Sequence, residues 1–448
     1  MAVNADYIPG RYFTLASKVG PAVLRRGWPQ YSTNRIEQFL LMITIAMLPL
    51  QDHIPSVAGF SIMFILFGVL ACYVLANRSK KLARTWAHPL FLATYAFLFL
   101  GYVIESFHPY SSYSDILRMA QMIAGAVFVA SLCRDQHALR TAIYGYIVAG
   151  VFMAILLFLT TYGALSQATA TDFREADRIR SEVFSDNPLQ ADLNGMAFIA
   201  GQATIVALAL ALTSCSVLRR NLFLGISLFC FIATFLPLSR GGIAMVIVSC
   251  ATVLFAYGAM RPKTILMVGL IGVSSLIWIP DAAWERMAFS TGAGEGGRME
   301  ARARVYTAFV KHLPEYVMGG VGAGNFWEHW GHDSQFASGK GVSGAHNAFF
   351  QVTIYWGVIA LLGLLVIAWK AYCCLPKRCG DNGLALSLVG IAASLLLFSL
   401  SAHPIYAKEY ALGFGLLAGS RLWIWPKGIV PPASRPPGRV RLPFRQAS

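Results

Sequence analysis

The sequence predicts an all-α, polytopic integral membrane protein of about twelve spanning helices, on three observations. Hydrophobic residues fill 56% of the 448 positions and charged residues only 13%, with a mean hydropathy of +0.58, values that soluble globular chains do not normally show. Apolar runs of about 17–25 residues, long enough to cross a bilayer, recur with short breaks. The basic residues, which give a net charge of +15, gather in every second connection as the positive-inside rule requires, and this distribution argues against a nucleic-acid partner.

Taken in order, the chain begins with a polar, basic segment, 1–35, that does not read as a cleavable signal peptide because no short charged stretch is followed by an apolar core. Nine spans are expected within 36–280, near 36–52, 57–76, 86–105, 113–132, 139–162, 191–213, 219–238, 240–259 and 263–280. An outer loop, 163–190, separates the fifth from the sixth, and a larger one, 281–346, follows the ninth. Three more spans, near 347–372, 383–402 and 405–423, complete the membrane part within 347–423, and 424–448 is a Pro/Arg-rich tail expected to be disordered near anionic lipid. The inner connections hold Arg78, Lys80, Lys81 and Arg84; Arg134 and Arg140; Arg219 and Arg220; Arg261 and Lys263; and Lys370, Lys377 and Arg378. Both termini are therefore expected on the cytoplasmic side. All eight cysteines fall in spans or at their inner edge, so the outer loops have no disulfide framework, and Cys373, Cys374 and Cys379 lack a matching pair at zinc-ligand spacing.

Arg240 interrupts the apolar run 231–248, where a guanidinium costs roughly 2.5–3.5 kcal/mol and by default faces a cavity, an anion or a partner. The bland alternative is a short turn between two spans. The two sizeable outer loops also carry clustered arginine on the side that the positive-inside rule depletes: Arg174, Arg178 and Arg180 in the first, Arg286, Arg298, Arg302 and Arg304 in the second. Arg298 and Arg302 share a face if residues 299–311 are helical, and two parallel guanidiniums suit a diphosphate. Their alternative is a solvated helix paired with Glu295, Glu300 and Glu315. His346 stands at the start of the tenth span, where the positive end of a helix disfavours imidazolium and leaves the neutral ring that can take a proton; an interfacial polar group is the plainer reading. Residues 319–324, Gly-Gly-Val-Gly-Ala-Gly, read as a turn. Phe326, Trp327 and Trp330 read as an aromatic belt, and Asp115 with Arg118 as an internal pair.

Together, Ser239-Arg240-Gly241-Gly242 at the head of a span, the outer loop with Arg298, Arg302, Pro314 and Gly320-Val-Gly322-Ala-Gly324, and Gly344-Ala-His346-Asn347 before an apolar helix reaching Tyr355-Trp-Gly357 resemble the bacterial O-antigen ligase and polymerase superfamily. The stretch holding Arg178, Asp192, Asn194 and Gly195 is similar to the family's segment before its sixth span. The resemblance implies a type C glycosyltransferase-like fold with short helices in a large periplasmic loop. It also implies an inner-membrane O-antigen ligase that transfers a glycan from undecaprenyl pyrophosphate to a sugar hydroxyl of lipid A–core oligosaccharide, in lipopolysaccharide biosynthesis. Its expected catalytic set is His346, Arg240 and Arg302. Arg298, Arg178, Arg180, Asn347, Asn194 and Ser239 would contact pyrophosphate or glycan. Loop two departs from the family pattern, since Tyr306 follows Arg302 at four and Pro314 comes early, so Arg298 and Arg302 both remain candidates. No Asp-x-Asp stands at Asp52-His53, so neither metal nor other cofactor is expected and arginines would hold the diphosphate. The expected partners are the lipid-linked donor, the lipid A–core acceptor and membrane lipid, with the protein a monomer or weak oligomer. A polymerase joining two lipid-linked glycans is the nearest alternative. A lipid-linked sugar transporter is more distant, because it would call for inverted repeats or broken helices that the sequence does not display. No phosphate-loop sequence supports ATP-dependent function.

Overall fold

The computed structural model describes residues 34–50, 62–108, 113–167, 193–258, 309–323, 347–377, 379–401 and 407–426, with a few isolated positions between them. Among these residues every regular element is helical. In chain order they are α1 (Arg35–Ala46), α2 (Ile62–Trp86), α3 (Pro89–Ser106), α4 (Ser114–Leu132), α5 (Gln136–Leu157), α6 (Leu193–Thr213), α7 (Val217–Phe235), α8 (Arg240–Ala256), α9 (Ala348–Cys374), α10 (Gly383–Ser401) and α11 (Lys408–Gly419). A π turn, Phe158–Tyr162, and a last turn, Gly163–Gln167, extend α5; a second π turn, Ser420–Ile424, extends α11.

Seven helices, α3, α4, α5, α6, α7, α9 and α10, are long and apolar enough to cross a membrane, and Ile62–Asn77 and Arg240–Ala256 are shorter apolar helices. The chain is thus a multi-pass membrane protein. Eleven of the twelve predicted spans overlap α1 to α11, of which α1 and α11, at 12 residues each, are not among these apolar helices; the remaining one, 263–280, lies outside the described residues apart from Ile279. Among the boundaries that differ, two have a plain cause. α2 continues to Trp86 through Arg78, Lys80 and Lys81, because a basic run can leave the bilayer without leaving the helix. α5 starts at Gln136, where Asp135 caps it by accepting the Ala138 N–H at 2.8 Å.

α6 is the hub. Most of its residues are buried, and α5, α7, α8 and α10 all pack on it. Ala197, Ala200, Gly201, Ala203 and Ala207 line it, and such small residues let backbones approach where lipid removes the usual hydrophobic drive. α11 packs on α4, α2 on α4, α1 on α5 and α9 on α3. On the periphery Phe99, Phe255, Leu159 and Trp369 are exposed, as side chains against acyl chains would be. Helix direction fixes two ends of the bundle. The starts of α4, α6, α8, α9 and α11 share one end with the finish of α3; the other end holds His88, Gly258, Lys377 and the π turn with Arg421.

Candidate functional site

The site is built from the junction of α7 and α8. Leu238 is buried with φ of 53°, a left-handed conformation that costs a bulky side chain of order 1–3 kcal/mol and persists only where its surroundings impose it. This turn delivers Ser239 in an extended conformation as the N-cap of α8. Its hydroxyl accepts the Gly242 N–H at 3.2 Å and donates to Asn194 Oδ1 at 2.7 Å. Asn194 belongs to the first turn of α6, and the two helices meet so closely that a Cβ on Gly242 would stand 2.4 Å from that of Ala197. Arg240 follows as the first residue of α8 and is half-buried. A guanidinium on the first turn adds its charge to the roughly half positive charge of a helix N-terminus, an arrangement suited to an anion.

At the same end α9 begins. Asn347 caps it, its Oδ1 accepting the N–H groups of Phe349 at 2.9 Å and Phe350 at 3.3 Å. His346 therefore immediately precedes a capped helix N-terminus. Phe350, in the first turn, stacks on Phe309 with centroids 4.1 Å apart. The short helix over 309–316, seven residues downstream of Arg302, is thereby docked against the start of α9.

α9 is interrupted at Gly357 (φ 78°, ψ −176°), a region essentially confined to glycine. Residues 317–322 fill the break: Val321 N–H donates to Ile354 O at 2.8 Å, Gly322 N–H to Tyr355 O at 2.9 Å, and Val358 N–H to Val317 O at 2.8 Å. Gly320 (φ 69°) approaches so near that a Cβ would lie 2.3 Å from the Tyr355 carbonyl carbon. The glycine run read as a turn is thus a turn that splices into a broken helix. The freed backbone groups are satisfied by the protein itself.

Glu105, fully buried in the last turn of α3, fastens this splice. Its Oε1 accepts the Ala323 N–H at 2.5 Å and the Trp356 indole N–H at 2.9 Å. The Trp356 ring lies over Gly101 and meets Phe97 edge-on. His108 Nε2 lies 3.4 Å from Gly319 O. Sequence reasoning missed Glu105; the only signal for it is an acid at the very end of an apolar run.

Ser239, Asn194 and Arg240 are thus brought together, with Asn347 at the same end of the bundle. Arg178 pairs with Glu182 at 2.8 Å and with Glu175 at 3.8 Å, all within its own short segment. Asp115 and Arg118 form the internal pair at 3.6 Å, and His312 with Glu315 makes another at 2.8 Å. His346, Arg180, Arg298, Arg302, Phe326, Trp327 and Trp330 lie outside the described residues.

Residues 225–365 match the family model described as O-antigen ligase, Wzy_C. This stretch, 141 of the 448 residues, runs from within α7 through Arg240 and the splice to the middle of α9; Asn194 and Glu105 lie before it. The match makes this third of the chain similar to the O-antigen ligase family. No curated protein matches the chain.

Proposed function

We propose that the protein is an O-antigen ligase. It moves a glycan from undecaprenyl pyrophosphate to a sugar hydroxyl of lipid A–core at the periplasmic face of the bacterial inner membrane, with both termini in the cytoplasm. The observation that carries this reading is the placement of Arg240 on the first turn of α8 by the Ser239–Asn194 bond, within the stretch that matches the family. Breaking the sugar–pyrophosphate bond develops negative charge on the leaving group, and preorganised guanidiniums stabilise it without needing to donate a proton. Arg240 takes this role together with Arg302 or Arg298. Arg178 and Arg180 are proposed to meet the sugar or the diphosphate from the first outer loop. Ser239, Asn194 and Asn347 use their oxygens within the protein, so they act as positioning residues.

His346 is the proposed general base. It takes the proton of the acceptor hydroxyl as that oxygen attacks the anomeric carbon from the face opposite the pyrophosphate. One C–O bond forms, one breaks, and the configuration inverts with no covalent enzyme intermediate. A helix N-terminus disfavours imidazolium, and the resting ring is proposed to be neutral. The test is in vitro transfer by purified protein from lipid-linked glycan, with lipid A–core or a second lipid-linked glycan as acceptor, each with and without EDTA. Chelator-resistant product on lipid A–core is expected. Elongation of the lipid-linked glycan alone would make the protein a polymerase.

A further inference from the structure

Between α3, α4, the end of α8, α9, α10 and α11 lies a cavity of about 1270 Å³, larger than the about 300–1,000 Å³ that holds a drug-sized molecule. Its wall is mainly apolar, from Phe349 in the first turn of α9 past Leu364 and Phe414, and it reaches Lys377 and Arg421 at the far end. An apolar shaft with cations at one mouth is complementary to an amphiphile with an anionic head.

At the far mouth, Arg421 Nη1 is buried with no hydrogen-bond partner among the described residues. The indole N–H groups of Trp423 and Trp425, which follow it in the chain, are likewise buried without one. The Arg421 charge acts on His88 and Cys374, neither of which is an acid. The Arg84 guanidinium lies 5.1 Å from the centroid of the Trp423 ring, adding a second positive charge on the same segment. A buried guanidinium donor without an acceptor is costly. The chain reaches this place through the π turn Ser420–Ile424, closed by Trp425 N–H to Ser420 O at 2.7 Å, and such turns concentrate at functional sites.

We propose that the cavity holds an anionic phospholipid, its phosphate on Arg421 and Lys377 and its acyl chains in the shaft. The positive-inside expectation assigns this end to the cytoplasmic leaflet. The surplus of positive charge selects against a headgroup that carries its own cation. The site is at the opposite end of the bundle from Ser239 and does not depend on the transfer reading.

The test is a titration of purified full-length protein in mild detergent, followed by native mass spectrometry. The probes are phosphatidylglycerol, phosphatidylcholine with the same chains, undecaprenyl phosphate and inorganic phosphate. Phosphatidylglycerol is expected to bind roughly tenfold tighter than phosphatidylcholine, whose choline cation is set against Arg421 and Lys377, and inorganic phosphate not measurably. Arg421→Gln should erase the headgroup preference, Arg421→Lys retain part of it, and Ala368→Phe, which fills the shaft, weaken both phospholipids. Should Arg421→Gln fail to fold, the wild-type ranking and Ala368→Phe decide. Equal binding of the two phospholipids, full preference in Arg421→Gln, or displacement of phosphatidylglycerol by equimolar undecaprenyl phosphate overturns the proposal.

Discussion

Replacing Glu105 by alanine removes the acceptor of two donors at once, the Ala323 N–H and the Trp356 indole N–H. Both would be left facing an apolar helix packing, and a buried donor without a partner costs about 1–3 kcal/mol, so the splice into α9 should lose roughly 2–6 kcal/mol. Since about 1.4 kcal/mol is tenfold in an equilibrium constant, the lower bound corresponds to opening roughly 30-fold more frequent. Hydrogen exchange of purified protein reads this directly, because the amides of Val321, Gly322 and Ala323 are all donors in the splice. Exchange over 320–323 should accelerate by at least that factor in Glu105→Ala, while α6 remains protected. Glu105→Gln keeps an acceptor oxygen and should show a smaller effect. Wild-type exchange over 320–323 in a folded Glu105→Ala protein would refute the account of the splice.

Ser239→Ala removes an N-cap, worth about 0.5–2 kcal/mol, and leaves Asn194 Oδ1 without its donor; in vitro transfer should fall with little change in thermal unfolding, and unaltered transfer would show that this bond does not position Arg240. Gly357→Ala forces a side chain into φ of 78° and to 2.7 Å from Met318 O, so the melting temperature should drop, consistent with about 1–3 kcal/mol or more, against a null effect if α9 can close the break. Burial, helped by the Arg421 charge, holds His88 down at about 4, and its neutral Nδ1 accepts the Leu90 N–H at 3.3 Å to cap α3. The unfolded chain takes up a proton below about 6.5 while the folded one does not, so the stability contributed by neutral His88 is complete above that value and is lost as pH falls toward 4. Melting curves at pH 7.5 and 4.5 should therefore diverge more for the wild type than for His88→Asn.

Apolar runs are legible in the sequence because a bilayer demands a contiguous stretch, but the burial of α6 is not, since an apolar run does not say which side chains face lipid. Helix ends are less legible: the sequence places the end of the second span at 76, while the helix continues to Trp86. Arg240 is legible as a charge out of place, and Ser239 and Asn347 as helix caps by residue type. The splice is not, since apolar spacing passes through Gly357 unbroken and its partners lie far apart in the chain. Ala323 and Trp356 are 218 and 251 positions from Glu105, and no local rule joins them.

The most direct test of the account is glycan transfer by purified His346→Ala protein, measured beside binding of the lipid-linked donor. The account predicts that transfer is abolished while donor binding persists through Arg240 and its companion arginines. Transfer at the wild-type rate by His346→Ala protein would contradict it.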